Sequence, residues 1–167
     1  MTPSDNNDHS AFRPLNPDWT RLTAQVVNQS PYFSLLSMRL IDLGPGESRM
    51  EIDLGRQHLQ PFGMVHGGVF SSLIDAAGFW AAFTDVDEGL GMTTVEMKLN
   101  YLAPSTSGRL IGLGRLIKAG KTLSLADARV ESETGRLLAH GTVTLMTLSG
   151  LVLDGQNGAP TKFFDRP

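Results

Sequence analysis

The sequence predicts an α+β domain in which one antiparallel sheet curls around one long helix, and three observations carry that prediction. The segment "HGGVFSSLIDAAGFWAAF" (His66–Phe83) is apolar almost all the way round, and a helix of that kind must be covered on nearly every side. Six other segments read as strands, three of them alternating apolar and polar residues with the period of half-buried strands. Turn signals such as "GPGE" (Gly44–Glu47) and "ETGR" (Glu133–Arg136) separate neighbouring segments by hairpin-length gaps. A chain of 167 residues with 41% apolar and 19% charged residues suits one globular domain.

Taken in order, residues 1–15 are polar and aperiodic and read as a flexible arm. Asn16-Pro17 starts a helix, with Asn16 as N-cap and Pro17 at the first helical position. Trp19, Leu22, Val26 and Val27 form its apolar face, and Ser30-Pro31 ends it. Leu36, Met38 and Leu40 begin a first strand; Met50, Ile52 and Leu54 belong to a second, across the "GPGE" turn. After the long helix comes the clearest alternation in the chain. Thr93, Val95, Met97, Leu99 and Tyr101 fall on one face and Thr94, Glu96, Lys98 and Asn100 on the other. Arg109–Lys118, Leu123–Glu131 and Leu137–Leu148 complete the strands. One domain is therefore expected over 16–148, and the Gly, Asp, Asn and Pro of 149–167 read as a flexible tail.

Composition removes several function classes. The net charge of −3 gives no electrostatic reason to expect nucleic acid or an anionic membrane as partner. With no cysteine, disulfides, thiolate nucleophiles and Cys-based zinc sites are excluded, which fits a cytoplasmic location. The first ten residues lack the basic and apolar regions of a signal peptide. His58, His66 and Asp75 have no recognised metal-ligand spacing, so no metal is expected. Ser71 or Ser72 with His66 and Asp75 supplies the residue types of a triad, but no GxSxG elbow exists and the spacing does not orient a base. "GLGRL" (Gly112–Leu116) lies within a strand and lacks the rest of a dinucleotide fingerprint.

"LQPFGMVHGGVFSSLIDAA" (Leu59–Ala77) resembles the signature of the hotdog-fold acyl-CoA thioesterases of the phenylacetic acid degradation type. "TTVEMKLNYLAP" (Thr93–Pro104), "KAGKTLSLADARV" (Lys118–Val130) and "ETGRLLAHGTVTLMTL" (Glu133–Leu148) follow in the family's order. The resemblance runs from about Leu36 to Leu148. It implies a hotdog fold: a six-stranded antiparallel sheet wrapped around the long helix, here with an extra N-terminal helix. It also implies a homodimer paired sheet edge to sheet edge, commonly doubled to a homotetramer. The implied activity is hydrolysis of an acyl-CoA thioester, with coenzyme A as part of the substrate and no cofactor required. A non-catalytic acyl-CoA sensor on the same fold is the alternative.

The residues themselves fit that chemistry. Gly67 and Gly68 stand where the helix begins, with unpaired N–H groups and the positive end of the macrodipole. A thioester carbonyl reaching the Gly67 N–H would be polarised there. Asp75 is an acid in an otherwise apolar helix, costly unless paired or hydrated, and is the candidate nucleophile or general base. Gly67 and Asp75 are eight residues apart (75 − 67), about 12 Å along one helix. One carbonyl cannot touch both at about 3 Å, so if both act on one thioester they come from different subunits. By resemblance, Gln60 and Thr94 join the catalytic group as positioning residues, although a loop glutamine and a surface threonine would look the same in sequence. Relatives pair Gln with Glu or Asn with Asp; this chain combines Gln60 with Asp75, which leaves the acyl group open. Lys118, Gly120, Lys121 and Thr122 resemble the turn that meets coenzyme A phosphates, with Arg115 and Arg136 as further candidates. His66, Gly68, Phe62 and Phe79 are expected against the substrate, with His66 also holding the loop before the helix, and Trp80 is a plausible lining residue.

Overall fold

The computed structural model describes residues 12–151, 153 and 158–164. Most of the expected arm over 1–15 and part of the expected tail over 149–167 therefore lie outside the described residues. The elements are helix α1 (Pro17–Asn28), short helix α2 (Pro31–Leu35), strand β1 (Met38–Gly44), strand β2 (Glu47–Asp53), helix α3 (Gly67–Phe83), and strands β3 (Leu90–Tyr101), β4 (Arg109–Lys118), β5 (Leu123–Ser132) and β6 (Leu137–Ser149). A single 3₁₀ turn covers Arg56–His58. The six strands form one antiparallel sheet in the order β1-β2-β4-β5-β6-β3. Helix α3 packs against all six, so the hotdog architecture expected from the sequence is present.

Local chemistry explains each boundary. Asn16 caps α1, its side-chain oxygen accepting from the Asp18 N–H at 3.0 Å. Trp19, Thr23 and Val27 form the buried stripe of α1, whereas the expected Leu22 and Val26 are only partly covered. Pro31 does end α1, but it also opens α2 from its first position. In the "GPGE" and "ETGR" turns, Gly46 and Gly135 take positive φ.

The sheet can close on α3 because it carries glycine where the helix touches it. A Cβ on Gly114 would overlap the Ala77 carbonyl, and one on Gly112 would overlap the Leu73 side chain. The Ser48 hydroxyl donates to that same Ala77 carbonyl at 2.7 Å. The glycines of "GLGRL" thus serve helix–sheet contact. Leu73, Ile74, Ala77 and Ala81 of α3 are fully buried with Met50, Ile52, Leu110, Val143 and Leu145 from the sheet.

The two outer edges of the sheet differ. On β1, the Asn28 side-chain amide donates to the Leu40 carbonyl at 3.0 Å and accepts from the Leu40 N–H at 2.7 Å. Helix α1 therefore blocks that edge. Strand β3 forms the other edge and, among the described residues, pairs only with β6.

The C-terminus of α3 is held by a residue far along the chain. The Lys162 ammonium donates to the carbonyls of Phe83 and Val86, the latter at 2.6 Å, and lies over the Phe83 ring at 4.2 Å. A cation suits the negative end of a helix dipole. Burial nevertheless depresses the Lys162 ammonium from its usual 10.5 to about 7. Arg13 pairs with Asp87 at 2.8 Å and stacks on Phe163 at 3.7 Å, while Leu15 bridges to Phe163, so residues 13–16 and 162–163 fasten one another.

Candidate functional site

The carboxylate of Asp75 and the hydroxyl of Thr94 meet. Thr94 Oγ1 donates to Asp75 Oδ1 at 2.8 Å, joining the middle of α3 to the edge strand β3. Asp75 is half-buried, whereas Ile74 and Ala77 beside it are fully buried. Among the described residues its other oxygen, Oδ2, has no hydrogen-bond or ion-pair partner.

Simple alternation places Thr94 on the face of Glu96 and Lys98, away from α3. The structure corrects this. Thr94 pairs with Leu145 but Glu96 pairs with Thr144, so Val95 is an extra residue, a β-bulge. The bulge reverses the phase of the strand. Met92 and Thr94 before it face the helix, as do Met97 and Leu99 after it, and Val95 is left half-exposed at the edge. A bulge at this point aims the Thr94 hydroxyl at the acid.

Gly67 and Gly68 form the first turn of α3, and their N–H groups have different fates. His66 is the N-cap: its Nδ1 accepts from the Gly68 N–H at 2.8 Å. In the neutral ring the proton is then on Nε2. The Gly67 N–H has no acceptor among the described residues. A Cβ on Gly67 would sit 3.1 Å from the Tyr101 hydroxyl, so the glycine also makes room for that ring. His66 therefore positions the turn, and Gly67 presents the open donor.

Both serines of the helix are occupied. Ser71 Oγ donates to the Gly67 carbonyl at 3.1 Å and bonds the Tyr101 hydroxyl at 2.9 Å. Ser72 Oγ donates to the Gly68 carbonyl at 2.8 Å and bonds the Tyr32 hydroxyl at 2.8 Å. Neither is bonded to His66, so no Ser–His–Asp relay exists here. Tyr32 and Tyr101 were not singled out from the sequence; a tyrosine beside a helix N-terminus leaves no periodic signal. His58 is fully buried, accepting from the Gly55 N–H and bonding the Leu36 carbonyl, a structural role. Among the described residues no group of acidic residues and histidines is arranged to hold a metal.

Gln60 lies in the loop before α3, where its Oε1 accepts from the Phe62 N–H at 2.6 Å. Its side-chain NH₂ is left without an acceptor among the described residues. Phe62 does not join Phe79 in this protomer: it is 89% exposed on the loop, and only Phe79 lines an apolar groove. A glycine-rich turn after a proline leaves the ring no wall to pack on within the same chain.

Lys118 ends β4, and Gly120, Lys121 and Thr122 lie in the β4–β5 connection, with both lysines exposed. A Cβ on Gly120 would overlap the Leu123 carbonyl, so the turn depends on that glycine. Register relates this turn to the acid: Thr94 pairs with Leu145, which pairs with Ser124. The turn thus lies two strands across from Thr94, about 10 Å away.

Comparison with known proteins identifies the family and the fold. The model of the thioesterase superfamily matches residues 62–139. Acyl-coenzyme A thioesterase 13 of Mus musculus is 29% identical over 125 residues, spanning 72% of this chain and 89% of that protein. The crystal structure of a thioesterase family protein from Silicibacter pomeroyi matches with a TM-score of 0.70 at 32% identity, covering 77% of this chain and 98% of the other. A thioesterase from Haemophilus influenzae shares the fold at a TM-score of 0.73 and 21% identity, over 81% of this chain and 94% of its own. By sequence and by fold, the chain belongs to the thioesterase superfamily and is a hotdog-fold thioester hydrolase.

Proposed function

We propose that the chain hydrolyses acyl-CoA thioesters at composite sites, each using Asp75 of one subunit and the Gly67 N–H of another. The observation that carries the reading is the Thr94–Asp75 hydrogen bond in an otherwise apolar wall, with an open helix N-terminus too far along the same helix to share its substrate. The Gly67 N–H donates to the thioester carbonyl and to the oxyanion that follows. Thr94 holds one Asp75 oxygen, and the other acts on the substrate. As general base, Asp75 takes a proton from water while the water oxygen bonds to the acyl carbon; the C–S bond then breaks and the thiolate leaves. As nucleophile, Asp75 bonds to the acyl carbon itself, the thiolate leaves, and water cleaves the resulting anhydride. Single turnover in ¹⁸O-water separates the two, because only the nucleophilic course can leave label in the Asp75 carboxylate.

Sheet edges support pairing between subunits. Asn28 closes the β1 edge, while β3 offers twelve residues with an open side and exposed Val95 and Tyr101. Two β3 edges joined about a twofold axis set two α3 helices antiparallel and create two equivalent sites. Gln60 has an unused amide with which to orient water or the carbonyl. Phe62, exposed in one protomer, is placed to meet substrate only if a partner supplies the other wall. Lys118 and Lys121, with Gly120 and Thr122, are read as the cradle for coenzyme A phosphates, the lysines supplying charge.

The test is thiol release from a panel of acyl-CoAs by wild type and Asp75→Asn. The expected result is a rate loss of at least about a hundredfold in the variant, with unchanged melting. Equal rates would remove Asp75 from the chemistry.

A further inference from the structure

We infer that the acyl group is an extended aliphatic chain of about eight to twelve carbons, lying in a groove between the N-terminal helices and the second half of α3. This rests on the thioester reading above and adds the substrate class and the residues that set it. The groove has a volume of about 680 Å³ and is walled by Val26 of α1, Phe33 of α2, Phe79 and Phe83 of α3, Met92 of β3 and Leu151.

Three features point to this occupant. The first is position. Phe79 lies one turn beyond Asp75 on the same face of α3, and Met92 lies two residues before Thr94 on the inner face of β3. Phe79, a groove residue of α3, therefore lies about 6 Å along the helix axis from Asp75. The second is chemistry. Among the described residues no ionisable side chain lines the groove; its polar members, Gln29 and Ser30, lie at the junction of α1 and α2. A chain entering it must be uncharged along its length. The third is size. A cavity of about 150 Å³ holds a benzene ring, so one aryl ring would leave most of this groove unfilled. From Asp75 to Phe83 the helix rises about 12 Å, which an extended chain covers in roughly ten bonds at about 1.2 Å per bond. The wall is fixed on its open side: a Cβ on Gly91 would overlap the Leu151 carbonyl, so the segment after β6 rests directly on the start of β3.

The test is kcat/KM for butanoyl-, hexanoyl-, octanoyl-, decanoyl- and phenylacetyl-CoA, with wild type, Val26→Trp and the milder Val26→Phe. Val26 touches the groove and is not part of the catalytic group. In wild type, kcat/KM should rise up to about fourfold per added methylene and then level off near ten to twelve carbons, with decanoyl- well above phenylacetyl-CoA. Val26→Trp should lower the decanoyl value at least about tenfold and leave the butanoyl value within about twofold. A flat length profile, a phenylacetyl preference, or equal loss for butanoyl and decanoyl in variants that melt like wild type would overturn the groove assignment while hydrolysis stands. If wild type cleaves no member of the panel faster than Asp75→Asn does, the thioester reading falls and the inference with it.

Discussion

Gly67→Pro, combined with Asp75→Asn, offers a direct trial of the shared site. Gly67 is the first residue of α3, where proline is tolerated because its missing N–H is not part of the helix ladder. His66 already has φ −65° and ψ 138°, the conformation a residue before proline adopts. The ring would press on the outer end of Tyr101, which is 57% exposed and can shift toward solvent at the cost of its bond to Ser71. The substitution therefore deletes one donor while the helix remains. Loss of a single oxyanion donor costs about a hundred- to a thousandfold in kcat, so each homodimer should be nearly silent. When the two variants exchange subunits freely, half of the dimers are mixed. If the groups act across the interface, each mixed dimer holds one intact site and one doubly damaged site. Activity should then recover to about a quarter of wild type in the mixture and about half in purified mixed dimer. If Asp75 and Gly67 of the same subunit served one substrate, every site in the mixed dimer would carry one lesion and nothing would recover. Thiol release measured beside native mass spectrometry of the mixture reads both quantities. Mixed dimers that form and remain silent would refute the geometry.

Two further predictions concern stability. Lys162 has its pKa depressed to about 7 in the folded chain against 10.5 unfolded. Between these values the unfolded chain binds more protons, so this group adds stability as pH rises from about 7 towards 10.5, by at most about 1.4 kcal/mol per pH unit. Denaturant titrations of wild type and Lys162→Met should diverge over that window, and parallel pH profiles would count against the buried ammonium. Asn28→Leu removes both hydrogen bonds that close the β1 edge, at a cost of about 1–3 kcal/mol, and should promote association through that edge; chemical unfolding and light scattering measure the two effects.

The long helix and its sheet were legible in the sequence because both are periodic over many residues, and because a helix apolar on all sides admits few packings. Gly67 and Asp75 were legible for the opposite reason: each breaks its local pattern. Thr94 was found by resemblance and misplaced by alternation, since the bulge at Val95 adds a residue with no glycine or proline to mark it. Asn28 and Lys162 gave no signal, because their roles depend on carbonyls brought close only by the folded chain. The same holds for the groove, whose walls come from α1, α2, α3, β3 and the segment after β6.

The place of the acid follows from how the sheet ends. A six-stranded sheet wraps α3 but does not close on itself, and its last strand on one side is β3. Residues of α3 turned toward the interior of the wrap, such as Leu73, Ile74 and Ala77, lose all contact with water. An ionised carboxylate at any of those positions would bear the full cost of desolvation. Asp75 instead faces β3, where cover runs out, and there it keeps partial exposure and gains the Thr94 hydroxyl. Its neighbour in sequence, Ile74, is fully buried, so the change of environment occurs within one residue's rotation of the helix. The open β3 edge thus lets a charged residue of α3 keep partial exposure, and on the reading proposed above it is also the surface that receives a second copy. On the reading proposed above, catalytic acid and subunit contact are drawn to the same seam by the same deficit of cover.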